Sequence, residues 1–366
     1  MAKAVVGLSG GVDSAVCAYL LKEQGYEVVG VTLRTWTDSE KEVSKCCEIE
    51  DAQRICMKLG IPFYIHNVGR DFCEYVTRPF VRDYVEGLTP SPCVFCNRNV
   101  KFEGMMYCTK LFDADFIATG HYAEVIKLPN GRYTVKQVAY KDQTYMLYRL
   151  SQEQLSHLLM PLGGYTKEEV RQIAREAELP VAEKSDSQEI CFVEDGQYAD
   201  YVNEHAKDVF SDNYENIKNR LGAGNFIDRN GTVLGEHKGI IHYTIGQRKG
   251  LGLAFGHPVY VSEIRPETNE VVLSEEDEIF TNEVFCKNLN FLSIPDLQTG
   301  EEIFARVKIR YRHNAENAVI SKIGEDEVRI LFEKPVRAST PGQSAVFYDS
   351  DNCIIGGGVI VKKRNE

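Results

Sequence analysis

A short apolar run, Ala4-Val5-Val6-Gly7-Leu8, passes directly into Ser9-Gly10-Gly11-Val12-Asp13-Ser14 and then into a helix-forming stretch over residues 12–22. No other segment restricts the fold as tightly. The glycines let backbone N–H groups turn inward as a nest, Ser9 and Ser14 add hydroxyls, and the following helix presents its positive end. This is a physical recipe for holding a pyrophosphate. Asp13 would hold Mg²⁺ or the first helical turn. A Gly-rich turn with an ordinary N-cap would explain the glycine pair but not the whole strand–loop–helix string. No Lys follows the glycines, which excludes a Walker A loop.

The surrounding texture fits an α/β fold. Residues 27–33 are β-branched and apolar, 51–59 place Ala52, Ile55, Cys56 and Leu59 at helical spacing, and 62–68 and 116–120 read as further strands. Strands alternating with helices predict a parallel sheet covered on both faces, with ligands beyond the C-terminal strand ends. Thr166 with Glu169 marks a capping box. After about residue 205, short alternating strands are divided by Asn230-Gly231, Pro266-Glu267, Thr299-Gly300 and Pro341-Gly342, the texture of a β-barrel or meander. The expected domains are 1–204, 205–281 (small, mainly β) and 282–366 (a C-terminal β-barrel).

No apolar run approaches the roughly 18 residues of a membrane span. The N-terminal run is too short and too soon broken by glycine for a signal peptide, so a cytoplasmic protein is expected. In that compartment the eleven cysteines are small core residues, ligands or reactive thiols rather than structural disulfides. Cys17, Cys56, Cys73 and Cys108 lie on expected helices and read as core.

Two other cysteine segments look chemical. Thr89-Pro90-Ser91-Pro92-Cys93-Val94-Phe95-Cys96-Asn97 is a proline-stiffened loop before an expected helix over 97–111, and a thiol at a helix N-terminus is more readily ionised. Asp186-Ser187-Gln188-Glu189-Ile190-Cys191-Phe192 presents another thiol in a polar setting. A phosphate loop with two such thiols suits sulfur transfer, one thiol carrying a persulfide and the other helping to discharge it. Cys93-x-x-Cys96 also reads as a metal half-site; no second Cys-x-x-Cys completes a zinc tetrad, though Cys46-Cys47 could serve as partners.

Ser-Gly-Gly-x-Asp-Ser resembles the PP-loop, adenine nucleotide alpha hydrolase-like family of AMP-forming ATPases, which place AMP on a carbonyl or carboxylate oxygen. The loop leaves the substrate open. Cys-Asn-Arg-Asn-Val-Lys-Phe (96–102), Ala-Thr-Gly-His-Tyr (118–122), Lys-Asp-Gln-Thr-Tyr (141–145), Ser-Gln-Glu-Ile-Cys-Phe (187–192), Gly-Gln-Arg-Lys-Gly-Leu-Gly (246–252) and Thr-Pro-Gly-Gln-Ser-Ala-Val-Phe-Tyr (340–348) follow it in order. Together they resemble the bacterial tRNA-specific 2-thiouridylase family over essentially the whole chain.

The resemblance implies ATP on Gly7, Leu8, Ser9, Gly10, Gly11, Val12, Asp13 and Ser14, with Leu33 and Gly120 near adenine and ribose, and Mg²⁺ with it. It implies adenylation of O2 of wobble uridine 34 in glutamate, glutamine and lysine tRNAs, Cys191 as persulfide carrier and Cys96 as nucleophile. A disulfide bond, a helical tRNA-recognition insertion in the first domain, loading by a cysteine desulfurase or sulfur relay, and a monomer are also implied. It assigns target-base or tRNA contact to Ser91, Pro92, Cys93, His121, Lys141, Asp142, Gln143, Arg310, Tyr311 and Gln343. Many members carry Asp where this chain has Cys93, and a thiol is a poorer proton acceptor. The change supplies three thiols, Cys93, Cys96 and Cys191, that could instead hold a [4Fe-4S] cluster.

A net charge of −12 argues weakly against a non-specific nucleic-acid binder, and does not exclude a specific one whose cations are local. On a strand over 305–313, Arg306, Lys308, Arg310 and Arg312 would share one face and Val307, Ile309 and Tyr311 the other, a stripe suited to phosphate contact or to an ordinary solvated barrel face. Gln247-Arg248-Lys249 adds cations elsewhere. Two rival readings remain: a small-molecule synthetase using the same loop, and a non-catalytic RNA-binding protein with a structural metal.

Overall fold

A computed structural model describes residues 1–35, 49–185, 190–193 and 196–362. Strands β1 (Lys3–Gly7), β2 (Glu27–Arg34), β3 (Phe63–Asn67) and β4 (Phe116–Ala118) are joined, after a two-stranded ribbon of β5 (Glu124–Lys127) and β6 (Tyr133–Lys136), by β7 (Leu158–Leu159). Their spatial order is β3-β2-β1-β4-β7, all neighbours parallel. Period-two alternation feeds two separate cores. Val5, Val29, Val31 and Ile117 enter one apolar cluster, while Ala4, Val6, Val28 and Ala118 enter the other.

Helices α1 (Val12–Glu23) and α2 (Ile49–Leu59) cover the second face. Four residues of α2, Ala52, Ile55, Cys56 and Leu59, are buried at the helical spacing expected from sequence, and Ile55 alone contributes about 1.5–3 kcal/mol of burial. The first face is covered by α3 (Gly69–Phe72), a π turn over Cys73–Thr77, α4 (Arg78–Val85), α5 (Pro92–Cys96), a second π turn over Asn97–Lys101 and α6 (Phe102–Phe112). The helix expected from residue 97 therefore begins five residues earlier, with Pro92 in its first turn, where a missing N–H costs nothing. Cys93 and Cys96 sit on the helix and not in a preceding loop.

After α7 (Gln152–Ser156) comes α8 (Lys167–Glu176), whose Thr166/Glu169 capping box is made in full. Helices α9 (Tyr198–Val209) and α10 (Tyr214–Leu221) lead to β8 (Gly224–Ile227), β9 (Val233–His237), β10 (Tyr260–Arg265) and β11 (Glu270–Ser274), ordered β10-β11-β8-β9. Helix α9 runs through the 204/205 boundary expected from texture. The last six strands, β12 (Phe280–Phe291), β13 (Glu302–Lys308), β14 (Glu316–Gly324), β15 (Glu327–Arg337), β16 (Ser344–Tyr348) and β17 (Ile354–Val361), close into a barrel. Gly231, Gly300 and Gly342, all with positive φ, make three of its expected turns or those before it.

The barrel is fused to the first domain through buried polar groups. Tyr145 donates to the Ser344 carbonyl at 2.8 Å and accepts from the Ser344 N–H at 3.1 Å, while Ser344 Oγ meets Tyr148 at 3.1 Å. Thr134 Oγ1 donates to Ile354 O and Arg132 to Leu292 O. A Tyr145→Phe variant leaves two buried backbone groups of Ser344 unpaired, a cost of about 2–4 kcal/mol. The expected result is an earlier transition in a thermal melt; an unchanged melt would mean that this seam does not hold the domains.

Candidate active site

The order of the sheet reverses between β1 and β4, and the ends of these strands form the crevice where an α/β sheet takes its ligand. Gly10 has φ +70°, Gly11 caps α1 in extended conformation, and Ser14 Oγ donates to Gly11 O at 3.0 Å and lies 3.3 Å from both the N and Oγ of Ser9. Gly120, just beyond β4, presses on this loop: a Cβ there would lie 2.6 Å from the Asp13 carbonyl carbon and 2.8 Å from Ser14 N.

Beside the loop opens a cavity of about 220 Å³ lined by Gly7, Leu8, Ser9, Asp13, Ser14, Leu33 and Gly120, all expected from sequence. Gly10, Gly11 and Val12 are not part of that lining, and the Val12 side chain is buried in the core. His121 and Gln143, expected at the tRNA, line the same cavity, as do Val31, Lys101, Met105 and Thr119, which sequence reasoning missed. Met105 carries a readable signal only after the fold is known, since its sulfur packs 3.0 Å from where a Gly7 Cβ would be. His121 Nδ1 shares a 2.8 Å hydrogen bond with Thr119 Oγ1, and burial, aided by the Lys101 charge, lowers the imidazole pKa to about 3. It is therefore neutral at physiological pH.

Asp13 is held by three side chains from outside the loop. Its Oδ1 accepts from Lys167 Nζ at 2.6 Å and from the Tyr122 hydroxyl at 2.8 Å, and its Oδ2 from Lys141 Nζ at 3.1 Å. An expected Mg²⁺ at Asp13 would share the carboxylate with these ammoniums, its Oδ2 carrying the single bond from Lys141. Lys141 has φ +51°, and the next two side chains also turn to internal partners. Asp142 accepts from Gln137, the Thr144 N–H and the Thr144 hydroxyl, with Lys308 at 4.0 Å; Gln143 Oε1 accepts from Tyr122 N at 2.9 Å.

The thiol-bearing helix is braced from all three domains. Thr89 N donates to Pro341 O at 2.9 Å, and the Gln343 amide donates to Thr89 O at 2.9 Å and Pro90 O at 3.2 Å. Thr244 Oγ1 lies 3.5 Å from Thr89 Oγ1, and Asn97 Nδ2 donates to Met146 O at 3.0 Å. Ser91 and Pro92 are buried, Cys93 is exposed and Cys96 half-buried. Cys191 is half-buried beside Phe192, whose ring is caged by Phe72, Phe80 and Tyr201 at 5.1–5.5 Å. Cys96 and Cys191 abut the same apolar cluster.

Three expectations are corrected. Cys73 is exposed and not core, whereas Cys17, Cys56 and Cys108 are buried as expected. Among the described residues no group of three or more His, Cys, Asp or Glu gathers to hold a metal ion. Cys93, Cys96 and Cys191 are thus not arranged as a cluster ligand set, and no step below runs through one. Cys46 and Cys47, the possible zinc partners, lie outside the described residues. Finally, β13 ends at Lys308, so the four-cation stripe does not continue. Val307 and Ile309 are buried as expected, but Tyr311 is exposed beside Arg312. Arg306 bonds Asn352, Arg310 donates to Arg337 O at 3.2 Å, and Lys308 lies 5.9 Å over the Tyr311 ring, which neighbours Tyr145 at 6.2 Å. Arg248 and Lys249 are exposed.

Residues 2–195 match the family model described as a tRNA methyl transferase HUP domain, 215–275 its PRC-barrel domain and 281–360 an aminomethyltransferase beta-barrel domain. The chain is 48% identical over 371 residues to the tRNA-specific 2-thiouridylase MnmA of Lachnoclostridium phytofermentans, covering 99% of this chain and 100% of that one. It is 46% identical over 368 residues to that of Clostridioides difficile, covering 98% of each. Among solved structures, the U34-tRNA thiolase NcsA from Methanococcus maripaludis with its [4Fe-4S] cluster aligns at TM-score 0.35 and 20% identity, covering 58% of this chain and 66% of that one. A 4-thiouridine synthetase–RNA complex with bound ATP aligns at 0.33 and 17%, covering 57% and 53%. Both likenesses are too slight to bear on this chain.

A Gly120→Ala variant must push the Asp13–Ser14 backbone aside, and the expected loss of ATP affinity is about ten- to hundredfold by calorimetry, with circular dichroism unchanged; unaltered affinity would mean that the loop tolerates the shift. Thiol labelling offers a second check. Cys73 and Cys93 should react in the native protein. Burial raises the thiol pKa of Cys17, Cys56, Cys108 and Cys286, so these should label only on denaturation.

Proposed function

The chain belongs to the tRNA-specific 2-thiouridylase family, and from that membership we propose that it thiolates C2 of the wobble uridine in glutamate, glutamine and lysine tRNAs at the expense of ATP. The observation that carries this reading is a single run of helix. Cys96 closes α5, and Lys101 and Met105, which line the nucleotide cavity, follow on the same run. Five residues of helix rise only about 7 Å, so the thiol and the nucleotide pocket are within one substrate's span.

In the proposed reaction, uridine O2 attacks the α-phosphorus and pyrophosphate leaves, converting a poor leaving oxygen into AMP. The outer sulfur of a Cys191 persulfide then bonds to C2 as AMP departs. Attack of the Cys96 thiolate on Cys191 Sγ releases the 2-thiouridine and leaves a Cys96–Cys191 disulfide, which an external thiol reduces. His121, held neutral, has a ring suited to stack against or bond the base beside Gly120, since no charge on it competes with the nucleotide's cations. A cysteine desulfurase or relay protein loads the persulfide, with Cys191 half-exposed to receive it.

The RNA side of the reading rests on the seam of barrel and catalytic domain. Lys308, Arg310, Tyr311 and Arg312 cluster there with Lys141 and Asp142, giving an acidic chain a local cationic and aromatic surface. Ser91, Pro92 and Gln343 act on the base through the backbone they hold, and Cys93 is the exposed member of that turn. The reading takes the enzyme to be cytoplasmic and monomeric; no helix among the described residues is long and apolar enough to cross a membrane.

Incubation with ATP, a sulfur donor and tRNA should exchange one oxygen for one sulfur in the anticodon loop, read by mass spectrometry, and release AMP with pyrophosphate. Cys96→Ser and Cys191→Ser should each cut thiolation by at least about a hundredfold. AMP formation without tRNA dependence would favour a small-molecule synthetase, and activity that requires iron would overturn the persulfide chemistry.

A further inference from the structure

Helix α5 carries two thiols, Cys93 and Cys96, three residues apart. Residues at that spacing lie on one face of a helix with Cα atoms about 5 Å apart, inside the roughly 4.4–6.8 Å that a disulfide spans. Cys93 falls in the first turn, where backbone N–H groups have no intrahelical bond to lose, so the adjustment that joins the two sulfurs disturbs little of the helix. The flanking structure holds the pair in place. Val94 N donates to Ser91 O at 3.1 Å at the start of α5, and Asn97 Nδ2 donates to Met146 O at 3.0 Å directly after Cys96.

The two thiols differ in access. Among residues 91–97 only Cys93 is exposed; Ser91, Pro92, Val94 and Asn97 are buried and Cys96 is half-buried. Cys191 is half-buried too, abuts the same apolar cluster as Cys96, and is followed by the caged ring of Phe192. A disulfide between Cys96 and Cys191 is therefore poorly reached from solvent, whereas Cys93 is open to it. Thiol–disulfide exchange is governed by such access.

Resting on the reaction set out above, we propose that Cys93 is the resolving thiol of the turnover, taking Cys96 out of the Cys96–Cys191 disulfide and carrying the oxidation to the surface. The Cys93 thiolate bonds to Cys96 Sγ and the Cys96–Cys191 bond breaks. Its electron pair leaves on Cys191 Sγ, which takes up a proton in place of the one Cys93 lost. This step changes no oxidation level; the disulfide passes from two half-buried sulfurs to a pair with one exposed member. An external dithiol then attacks Cys93 Sγ and closes to its own disulfide, returning Cys93 and Cys96 to thiols. Cys191 is thus freed for reloading before any outside reductant has to reach it. A tether of three residues gives Cys93 an effective concentration that a thiol in solution does not match, and reduction of the exposed disulfide draws the exchange forward.

The test uses the full chain as wild type, Cys93→Ser and Cys73→Ser, the last removing an exposed thiol outside the exchange. Cys93 and Cys96 share one tryptic peptide, residues 83–98, and Cys191 lies on another, so the two disulfides separate by mass once remaining thiols are blocked. In a first arm each protein is equilibrated alone in glutathione redox buffers. Wild type and Cys73→Ser should form the Cys93–Cys96 disulfide, and its absence overturns the proposal. In a second arm persulfide-loaded enzyme receives ATP and tRNA with limiting dithiothreitol. Wild type and Cys73→Ser should accumulate Cys93–Cys96, and Cys93→Ser the Cys96–Cys191 cross-link. Referred to its own rate at saturating dithiothreitol, Cys93→Ser should need about tenfold more of it for half-maximal thiolation. An equal requirement overturns the proposal, as does a wild type that accumulates Cys96–Cys191; the wild-type disulfide decides the matter even where Cys93→Ser is slow. Unthiolated tRNA defeats the proposed reaction instead, and the first arm then still decides whether Cys93 and Cys96 pair.

Discussion

The carboxylate of Asp13 is the knot of the molecule. It sits in the first turn of α1, where the helix dipole favours a negative charge, and three distant segments tie onto it: Tyr122 beyond β4, Lys141 beyond the β5–β6 ribbon and Lys167 at the head of α8. Tyr122 is fully buried, so its hydroxyl needs this acceptor. Remove the carboxylate and two half-buried ammoniums each lose an anionic partner at once, a larger penalty than losing any one of the bonds. The phosphate loop is therefore shaped by groups far outside it, and what those groups do is transmitted to it.

One such path runs to the barrel. Lys141 takes a left-handed backbone and reaches Asp13, while Asp142 beside it binds Thr144 and faces Lys308 of the barrel. Thr144 in turn meets the Tyr348 hydroxyl at 3.1 Å. A second path holds the thiols: Gln343 and Pro341 of the barrel bond the backbone of Thr89 and Pro90 just before α5. Gly342 is forced at that contact, because it has φ +92° and a Cβ would lie 2.9 Å from Thr89 N. In the proposed reading, an RNA seated on the barrel leans on the same bonds that hold the thiol-bearing helix and the phosphate loop. The side chains expected to touch RNA are, for the most part, the struts between these centres.

What could be read in advance was what is local. The phosphate loop follows from six adjacent residues, the α8 cap from Thr166 and Glu169, and the α2 stripe from spacing alone. The parallel sheet follows from strand and helix alternating along the chain. What could not be read depends on backbone irregularity or on distance. Cys73 falls at the start of a π turn, whose extra residue rotates the helical face outward, so a periodicity argument places it in the core wrongly. Alternation persists in the letters through Tyr311, yet the chain leaves β13 after Lys308. Lys167 and Lys184 approach their partners across 154 and 174 residues, and no window of sequence contains such a pair.

The acidic total and the anionic ligands then stop being in conflict. Coulomb attraction over the surface is screened within roughly 8–10 Å at physiological salt, so net charge governs the distant encounter and local charge governs the bound state. Around Asp13, Lys141 and Lys167 converge on one carboxylate, while Lys58–Glu178 and Arg175–Glu183 are exposed one-to-one pairs. Lysines are thus gathered beside the loop where phosphate would sit. Such a surface gives a polyanion little reason to stick at random, and it keeps its attraction for a ligand that places phosphates at the loop and the barrel seam together. Selectivity for a particular RNA then rests on the fixed spacing between those two centres, which the buried bonds of Tyr145, Tyr148 and Ser344 maintain.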